Sequence, residues 1–509
     1  MVDVTKTTLL LFLFRAAGLL VSIMSVTITA KFFGVSIEKD CWILALVLTT
    51  TIVQAIWGPL NEIFRAKFIF TLEAEGIDKV LNMTSSLVGF IIAVTSFVGI
   101  ITYIFSEEIS SFLIGNIPVT AVGVFRLLVV CLIPTMILNE LTKITTSVLN
   151  AFEIFYIPEI VGALAGSVNI VLIIVLAPYI GIISLLAANY VSVIFLLVIN
   201  LYYLKKKGIG IWTKYIFFRF TYVKPFLIFA LPFFLPYFVG QLNGITEKYI
   251  ASLLGQGAVS SLDYASQFTK ILQTLLSSVL ATVMVPLLAK TFANDDMNGF
   301  VSIMEKNIKT CMIILILSCS FLVGASEPLC YFFFYRGRVN IDQLNVIIEL
   351  TRLYGITFIS VFLYLFSGYA LLSLNRGKLY ATVGVLTQIV VMFFFVIGYV
   401  IFNNLHIFPL SIGIAHLLAA FIMMNRAQVV FNKEIIWLTL RGFIGISIIS
   451  IVVSLLNMYM NIENSFIEIL LSGLFVLLLF FVIAKPIGYN INDIISVLQL
   501  NKARWKKRN

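Results

Sequence analysis

The fold is decided by two apolar stretches that repeat one another, VFRLLVVCLI (residues 124–133) and LTRLYGITFI (residues 350–359). An arginine, a leucine and an isoleucine coincide in them at one constant offset. A second match, AKFFG (residues 30–34) with ASLLG (residues 251–255), lies at nearly the same offset. Two apolar halves built on one plan are typical of transporters whose binding site lies between structural repeats. The repeat therefore predicts a membrane transporter made of two related lobes.

Composition indicates the same class of protein. The chain is 61% hydrophobic and 11% charged, whereas soluble domains carry about 25% charged residues. Runs of about 20 apolar residues are long enough to cross a bilayer, and inside lipid they must be helical to satisfy their own backbone groups. We expect an all-α polytopic membrane protein with about 14 transmembrane helices. The predicted spans are 8–33, 41–63, 84–105, 122–147, 158–178, 181–204, 225–254, 262–290, 307–334, 345–374, 378–402, 407–431, 434–456 and 465–485.

The basic residues predict the orientation of these spans. With the amino terminus in the cytoplasm, the inner loops and the tail hold 21 Lys and Arg, whereas the outer loops hold four. Cytoplasmic loops of membrane proteins carry such an excess, so both termini are expected in the cytoplasm. The net charge of +10 then reflects orientation and contact with anionic lipid. Nucleic-acid binding is not expected, because the charges are spread over many loops.

The spans group into two parallel-repeat lobes of six helices and two further C-terminal helices. Six spans return the chain to the cytoplasmic side, so both lobes run in the same direction. The predicted segments are an N-terminal lobe (1–204), a cytoplasmic interfacial connector (205–224), a C-terminal lobe (225–433), two extra transmembrane helices (434–485) and a basic cytoplasmic tail (486–509).

Motifs for enzymatic chemistry are missing from the sequence. The five cysteines have no paired spacing, there are only two histidines, and no glycine-rich nucleotide loop is present. We therefore expect no enzyme, no metal site and no cofactor. Transport would be driven by a gradient of H⁺ or Na⁺, by the membrane potential or by the substrate gradient, because the chain shows no motif for ATP hydrolysis.

Several short passages resemble the mouse-virulence-factor family, whose best-known members are lipid II flippases of the MurJ type. They are AKFFG (30–34) followed by Asp40, LNAF (149–152), GAVS (257–260) and Arg376-Gly377. The resemblance covers about residues 1–430. It implies membership of the multidrug, oligosaccharidyl-lipid and polysaccharide exporter superfamily, with the polysaccharide flippase branch as an alternative.

The sequence departs from the family pattern at several basic positions. Where the family resemblance leads us to expect arginines or another basic residue, the chain has Val21, Val53-Gln54 and Ile154, and where it leads us to expect Asp-Arg, the chain has Ser266-Gln267. In the family these arginines are thought to hold the pyrophosphate and peptide end of lipid II. Their replacement makes a different lipid-linked sugar, such as an O-antigen or capsule repeat unit, a competing cargo.

Four cations are candidates for binding an anionic headgroup, since Arg and Lys pair with phosphate. They are Arg15, Lys31, Lys248 and Lys270. Arg15 either faces the cavity and binds phosphate or snorkels to the inner surface, because it lies about seven residues into its span. Lys270 either lines an outer cavity or is neutralised by Asp263 or Glu247.

Another set of charged residues is expected to form a gate or ion pairs: Asp40, Glu140, Lys143 and Glu247. Glu140 and Lys143 are three residues apart and can share one helix face. Asp40 either pairs with Lys31 or Lys39, or closes an outer gate.

Two more positions, Arg126 and Arg352, lie near the outer ends of their spans. They either anchor the interface or contact the outer gate.

Together these features predict a flippase in the bacterial inner membrane. It would move a polyprenyl-pyrophosphate-linked saccharide from the inner to the outer leaflet by alternating access. The cargo would be lipid II or an O-antigen or capsule repeat unit. The alternatives are a multidrug or metabolite exporter of the same superfamily and a transport-inactive scaffold in a cell-wall complex.

Overall fold

The computed structural model describes residues 4–118, 120–213, 216, 219–280, 284–427, 433–460, 462 and 464–489, and within them all regular secondary structure is helical. Twelve of the described helical segments are long and apolar enough to cross a membrane, and a shorter apolar helix covers Ala17–Phe33. The prediction of an all-α polytopic membrane protein is therefore confirmed. The predicted tail beyond Tyr489 lies outside the described residues.

The chain forms two compact units. The first comprises Met1–Ser260 with Gly337–Val339, and the second comprises Ser261–Arg336 with Asn340–Asn509. The division falls at Ser260, whereas the predicted lobes meet at residues 205–224. The seventh predicted span packs in the first unit, where it contacts the helix Ile37–Glu75. The predicted lobe boundaries stay a prediction.

The first unit holds nine helices of the described chain, with a 3₁₀ turn at Leu231–Phe233 that joins two of them into one candidate span. They are α1 (Val4–Phe33), α2 (Ile37–Glu75), α3 (Ile77–Ile104), α4 (Ser106–Leu113), α5 (Ala121–Ala151), α6 (Tyr156–Ile180), α7 (Ile183–Lys206), α8 (Phe220–Ala230) and α9 (Phe234–Leu253).

The second unit holds the remaining described helices. They are α10 (Ala258–Val279), whose first residues belong to the first unit, α11 (Val285–Ala293), α12 (Met297–Gly324), α13 (Ser326–Phe334), α14 (Ile341–Ser373), α15 (Gly377–Phe402), α16 (Ile407–Arg426), α17 (Lys433–Met460) and α18 (Ser465–Ile483).

Interruptions in the helices are the main difference from the predicted spans. The segment 262–290, predicted as one span, is divided between α10 and α11, and 307–334 is divided between α12 and α13. The short helix α4 lies where no helix was predicted. Apolar runs show where a chain can enter lipid, but a break of one residue, such as Ala325 between α12 and α13, leaves the run apolar.

Trp57 lies at the centre of the core of the first unit. Its side chain is 2% exposed, its indole Nε1 donates a hydrogen bond to Thr95 Oγ1 at 2.9 Å, and its ring packs edge-on against Phe90. A buried indole N–H needs such a partner. The contact therefore fixes α2 against α3 while burying a large apolar surface.

The connector between α7 and α8 is bound to α3 through two serines. Ser85 Oγ accepts a hydrogen bond from the backbone N–H of Thr213 at 3.0 Å, and Ser86 Oγ accepts one from the N–H of Arg219 at 2.6 Å. These bonds satisfy backbone donors that a non-helical segment leaves open. The described part of the connector is thus packed on the first unit.

Candidate functional site

A polar cavity lies inside the first unit between α2 and α5. Its volume is about 180 Å³. Six of its nine lining residues have polar side chains. Such a cluster needs hydrogen-bond partners between two apolar helices, because unpaired polar groups are costly in lipid. The lining residues are Leu46, Thr49, Thr50, Val53, Gln54, Thr135, Met136, Asn139 and Lys143.

Helical spacing explains why these side chains face one another. On α5, Thr135, Asn139 and Lys143 follow at intervals of four residues, so they lie on one face. On α2, Thr50 and Gln54 have the same spacing. The sequence analysis did not single out the cavity, although these two polar stripes in apolar helices were the available signal.

Glu140 lies beside the cavity and is completely buried. Lys143 Nζ donates to Glu140 Oε1 at 2.6 Å, and Asn61 Nδ2 donates to Glu140 Oε2 at 2.8 Å. Each carboxylate oxygen therefore has a hydrogen-bond donor, which offsets part of the cost of burying the charge. The expected proximity of Glu140 and Lys143 is observed, and Asn61, 79 residues away along the chain, is a partner that the sequence analysis missed.

Lys143 can contact Glu140 and a group in the cavity at the same time. The side chain of Lys143 is 35% exposed, whereas that of Glu140 is 0% exposed. Lys143 thus reaches the cavity while its ammonium stays on the buried carboxylate. An ammonium in this position can bind a phosphate oxygen or a sugar hydroxyl that enters the cavity.

Asp40 joins the start of α2 to the start of α10. Its buried carboxylate accepts hydrogen bonds from the backbone N–H of Gly257 at 2.5 Å and of Ser260 at 2.7 Å. Backbone donors at a helix N-terminus favour a negative charge. Asp40 therefore caps α10 from a distant part of the sequence.

Other loops on the same side of the first unit are bonded as well. Asn116 Nδ2 donates to the carbonyl of Leu253 at 2.6 Å, and Ser252 Oγ donates to the carbonyl of Leu113 at 2.9 Å. Gly34 has a φ of +57°, and a Cβ there would lie 2.6 Å from the backbone oxygen of Arg338. Only glycine combines this backbone conformation with so close an approach.

The two aligned arginines make the same contact in each unit. Arg126 Nε donates to Ser106 Oγ at 3.1 Å and its Nη1 lies 3.0 Å from Glu107 Oε2. In the second unit, Arg352 Nε donates to Ser326 Oγ at 2.7 Å, and its Nη2 lies 3.6 Å from the carboxylate of Glu327. Both arginines thus hold the first turn of a short helix, α4 or α13.

The predicted headgroup ligands lie in varied surroundings. Lys248 Nζ lies 2.8 Å from Glu247 Oε1, and Lys270 Nζ lies 3.2 Å from Asp263 Oδ1. The ammonium of Lys31 lies 5.8 Å from the ring centre of Phe32. The side chain of Arg15 lies outside the described residues. The structure thus gives two of these cations a carboxylate partner, and their role as ligands stays a prediction.

Comparison with known families gives one extended match. The family model described as "Lipid II flippase MurJ" matches residues 29–475. A lipid II flippase MurJ of Burkholderia cenocepacia is 24% identical over 350 residues, which span 66% of this chain and 67% of that protein. The similarity to a probable lipid II flippase MurJ of Rhizobium meliloti, 27% identical, spans 26% of this chain and 25% of that protein.

Solved structures show the same architecture. A lipid II flippase MurJ in an inward closed conformation superposes with a TM-score of 0.76 at 18% identity, over 93% of this chain and 99% of that one. An inward-facing multidrug resistance MATE family transporter of the MOP superfamily gives a TM-score of 0.61 at 16% identity, over 82% and 94%. At these identities the likeness concerns the fold alone.

Proposed function

The chain belongs to the lipid II flippase MurJ family, and from this membership we propose that it moves a polyprenyl-pyrophosphate-linked saccharide from the inner to the outer leaflet of the bacterial inner membrane. The observation that carries the proposal is the match of the family model over residues 29–475. The cargo is lipid II or a related lipid-linked repeat unit. The chain is a carrier in this proposal and catalyses no covalent step.

The polar cavity supplies a binding surface for the sugar and phosphate groups of the cargo. Gln54 lines it at a position where the family resemblance leads us to expect arginine. Lys143 lines the same cavity from α5 and provides a cation there. In our proposal an incoming phosphate accepts a hydrogen bond from the ammonium of Lys143 while that ammonium stays paired with Glu140. Arg15, Lys31, Lys248 and Lys270 remain proposed ligands elsewhere along the path.

Asp40 stabilises the closed arrangement of the outer loops in this mechanism. Its two bonds to the backbone at Gly257 and Ser260 hold the outer loops of the first unit together while the cargo enters from the inside. Alternating access then requires these bonds to break before release on the outer side. The excess of basic inner loops supports cytoplasmic termini. H⁺, Na⁺ or the membrane potential would drive the cycle.

The proposal is tested by complementation of a strain whose own lipid II flippase can be depleted. We expect the wild-type chain to restore growth and to restore lipid II at the outer leaflet, measured with an externally added modifying reagent. With Glu140→Gln present, so that no buried carboxylate is left unpaired, Lys143→Ala should reduce that signal about tenfold relative to Glu140→Gln alone, since it removes a charge-assisted contact worth roughly 1.5 kcal/mol. Lys79→Ala is the matched control, because Lys79 is an exposed cation paired with exposed Glu75.

Two results would contradict the proposal. Absence of rescue both in this strain and in a strain lacking an O-antigen flippase, despite wild-type amounts of protein in the membrane, would contradict the proposed transport of a lipid-linked saccharide. Full activity of Lys143→Ala in the Glu140→Gln background would show that the cavity between α2 and α5 does not bind the cargo.

A further inference from the structure

A cavity with three charged residues lies in the second unit, and none of its lining residues is among those assigned to cargo binding. Its volume is about 460 Å³. Residues of α12, residues of α17 and the segment that follows α18 form its walls. The lining residues are Glu305, Ile308, Lys309, Ile435, Trp437, Leu438, Arg441 and Gly488.

The cavity lies at the level of the inner membrane surface. In the orientation proposed above, α12 and α17 begin on the cytoplasmic side and α18 ends there. Trp437 on its rim is 61% exposed, and tryptophan is enriched where the headgroups of a bilayer meet its hydrocarbon. Ile308, Ile435 and Leu438 are buried. The site thus has a charged part and an apolar part at the depth of a lipid headgroup.

The wall formed by the segment after α18 is fixed in place. Tyr489 is 2% exposed, and its hydroxyl donates to the carbonyl of Leu438 at 2.7 Å. Gly488 has a φ of +85°, and a Cβ at this position would lie 3.0 Å from Arg441 Nη1. The absence of a side chain at Gly488 therefore leaves room for the guanidinium beside the backbone. The cavity is preformed, which lowers the entropic cost of binding.

The three charged residues of the cavity indicate which charged groups a ligand must carry. Lys309 and Arg441 supply two cations, and Glu305 supplies one carboxylate four residues before Lys309 on α12. A phosphodiester is bound well by a guanidinium and an ammonium. A carboxylate opposes a purely anionic ligand but accepts hydrogen bonds from a primary ammonium. The charges therefore match a headgroup that carries one phosphate and one amine.

We propose that this cavity binds the headgroup of an aminophospholipid such as phosphatidylethanolamine in the cytoplasmic leaflet. Lys309 and Arg441 hold its phosphate, Glu305 accepts from its ammonium, and the acyl chains leave past Trp437 into the bilayer. None of the cavity's lining residues is among those assigned to cargo binding above. Its occupant holds α12, α17 and the segment at Gly488 together from outside the protein.

The test measures binding of fluorescent short-chain phosphatidylethanolamine to the purified full-length chain in detergent micelles. Phosphatidylglycerol, phosphatidylcholine and soluble O-phosphoethanolamine are used as competitors. We expect unlabelled phosphatidylethanolamine to compete at least tenfold better than the other two lipids, because only its headgroup offers both a phosphate and N–H donors. O-phosphoethanolamine should compete weakly, because it has no acyl chains.

Three variants assign the contacts. Arg441→Gln should weaken binding of phosphatidylethanolamine about tenfold, whereas Glu305→Gln should remove the preference for it over phosphatidylglycerol. Lys378→Gln is the matched control, since Lys378 is an exposed cation at the start of α15 that does not line the cavity. Monodisperse size-exclusion profiles confirm that each variant is folded.

Three outcomes would overturn the proposal. If Arg441→Gln and Lys378→Gln bind alike, the cavity is not the binding site. If phosphatidylglycerol competes as well as phosphatidylethanolamine, the amine is not recognised. Equal competition by O-phosphoethanolamine would identify a site for a soluble phosphate. None of these outcomes depends on transport, so failure here leaves the flippase proposal untouched.

Discussion

The pair formed by Glu140 and Lys143 predicts an asymmetric response to mutation. Lys143→Met leaves a fully buried carboxylate with Asn61 as its remaining described donor. Removing one partner of a buried ion pair costs about 3–5 kcal/mol in the free energy of unfolding. Glu140→Gln should cost only about 1 kcal/mol, because the ammonium of Lys143 is 35% exposed and can turn into the polar cavity.

The double variant tests whether the loss of stability comes from the unpaired carboxylate of Glu140. With Glu140→Gln present, no carboxylate is left unpaired when Lys143 becomes methionine. The double variant should therefore lose about 1–2 kcal/mol, less than the sum of the single losses, and the coupling energy should be about 2–5 kcal/mol. The assay is denaturant unfolding of the purified chain in detergent micelles, followed by tryptophan fluorescence.

A second pair serves as the control for this cycle. Glu75 at the end of α2 and Lys79 in the first turns of α3 also form an ion pair, at 3.5 Å, but their side chains are 50% and 43% exposed. Exposed pairs contribute about 0.2–1 kcal/mol, so their coupling should be several times smaller. Equal losses for the two single variants at Glu140 and Lys143, or a coupling no larger than that of the control pair, would refute the reasoning.

Three further changes have defined outcomes in the same unfolding assay. Asp40→Asn should cost about 1–2 kcal/mol, because the neutral amide caps α10 less well than a carboxylate. Gly34→Ala should cost about 1–3 kcal/mol, since the new Cβ would meet the backbone oxygen of Arg338, 2.6 Å away, at a positive φ. Arg352→Lys should cost about 1 kcal/mol, because lysine cannot keep both the bond to Ser326 and the ion pair.

Matched substitutions at other positions serve as controls for the changes at Gly34 and Asp40. Gly123→Ala should be neutral or stabilising, since a Cβ there would meet no described atom within 4 Å. Asp78→Asn, in the first turn of α3, should cost less than Asp40→Asn. A loss at Gly123 as large as at Gly34, or no loss at Asp40, would contradict the contacts described above.

The sequence predicted those features that depend on local pattern. Apolar run lengths gave the candidate spans, and the three-residue spacing of Glu140 and Lys143 gave their proximity. Asn61 could not be predicted as their partner, because it comes from another helix and its selection depends on how α2 packs against α5. The alignment of Arg126 with Arg352 was visible, but the serine and glutamate that each one binds became apparent only from the packing of α4 and α13.

The length of α2 has a mechanical consequence. Its 39 residues correspond to a rod of about 58 Å at 1.5 Å per residue, roughly twice the hydrocarbon thickness of a bilayer. The rod holds Asp40 at one end, Gln54 near its middle, and Glu62, which accepts a hydrogen bond from Tyr237 of α9 at 2.7 Å, in its other half. If α2, which contains Pro59 near its middle, tilts as one body by about 10°, its two ends swing about 5 Å in opposite directions. Breaking the bonds of Asp40 would then be coupled to an opposite displacement of the end of α2 that follows Glu62. The axis of this rotation would lie at the polar cavity, near Gln54.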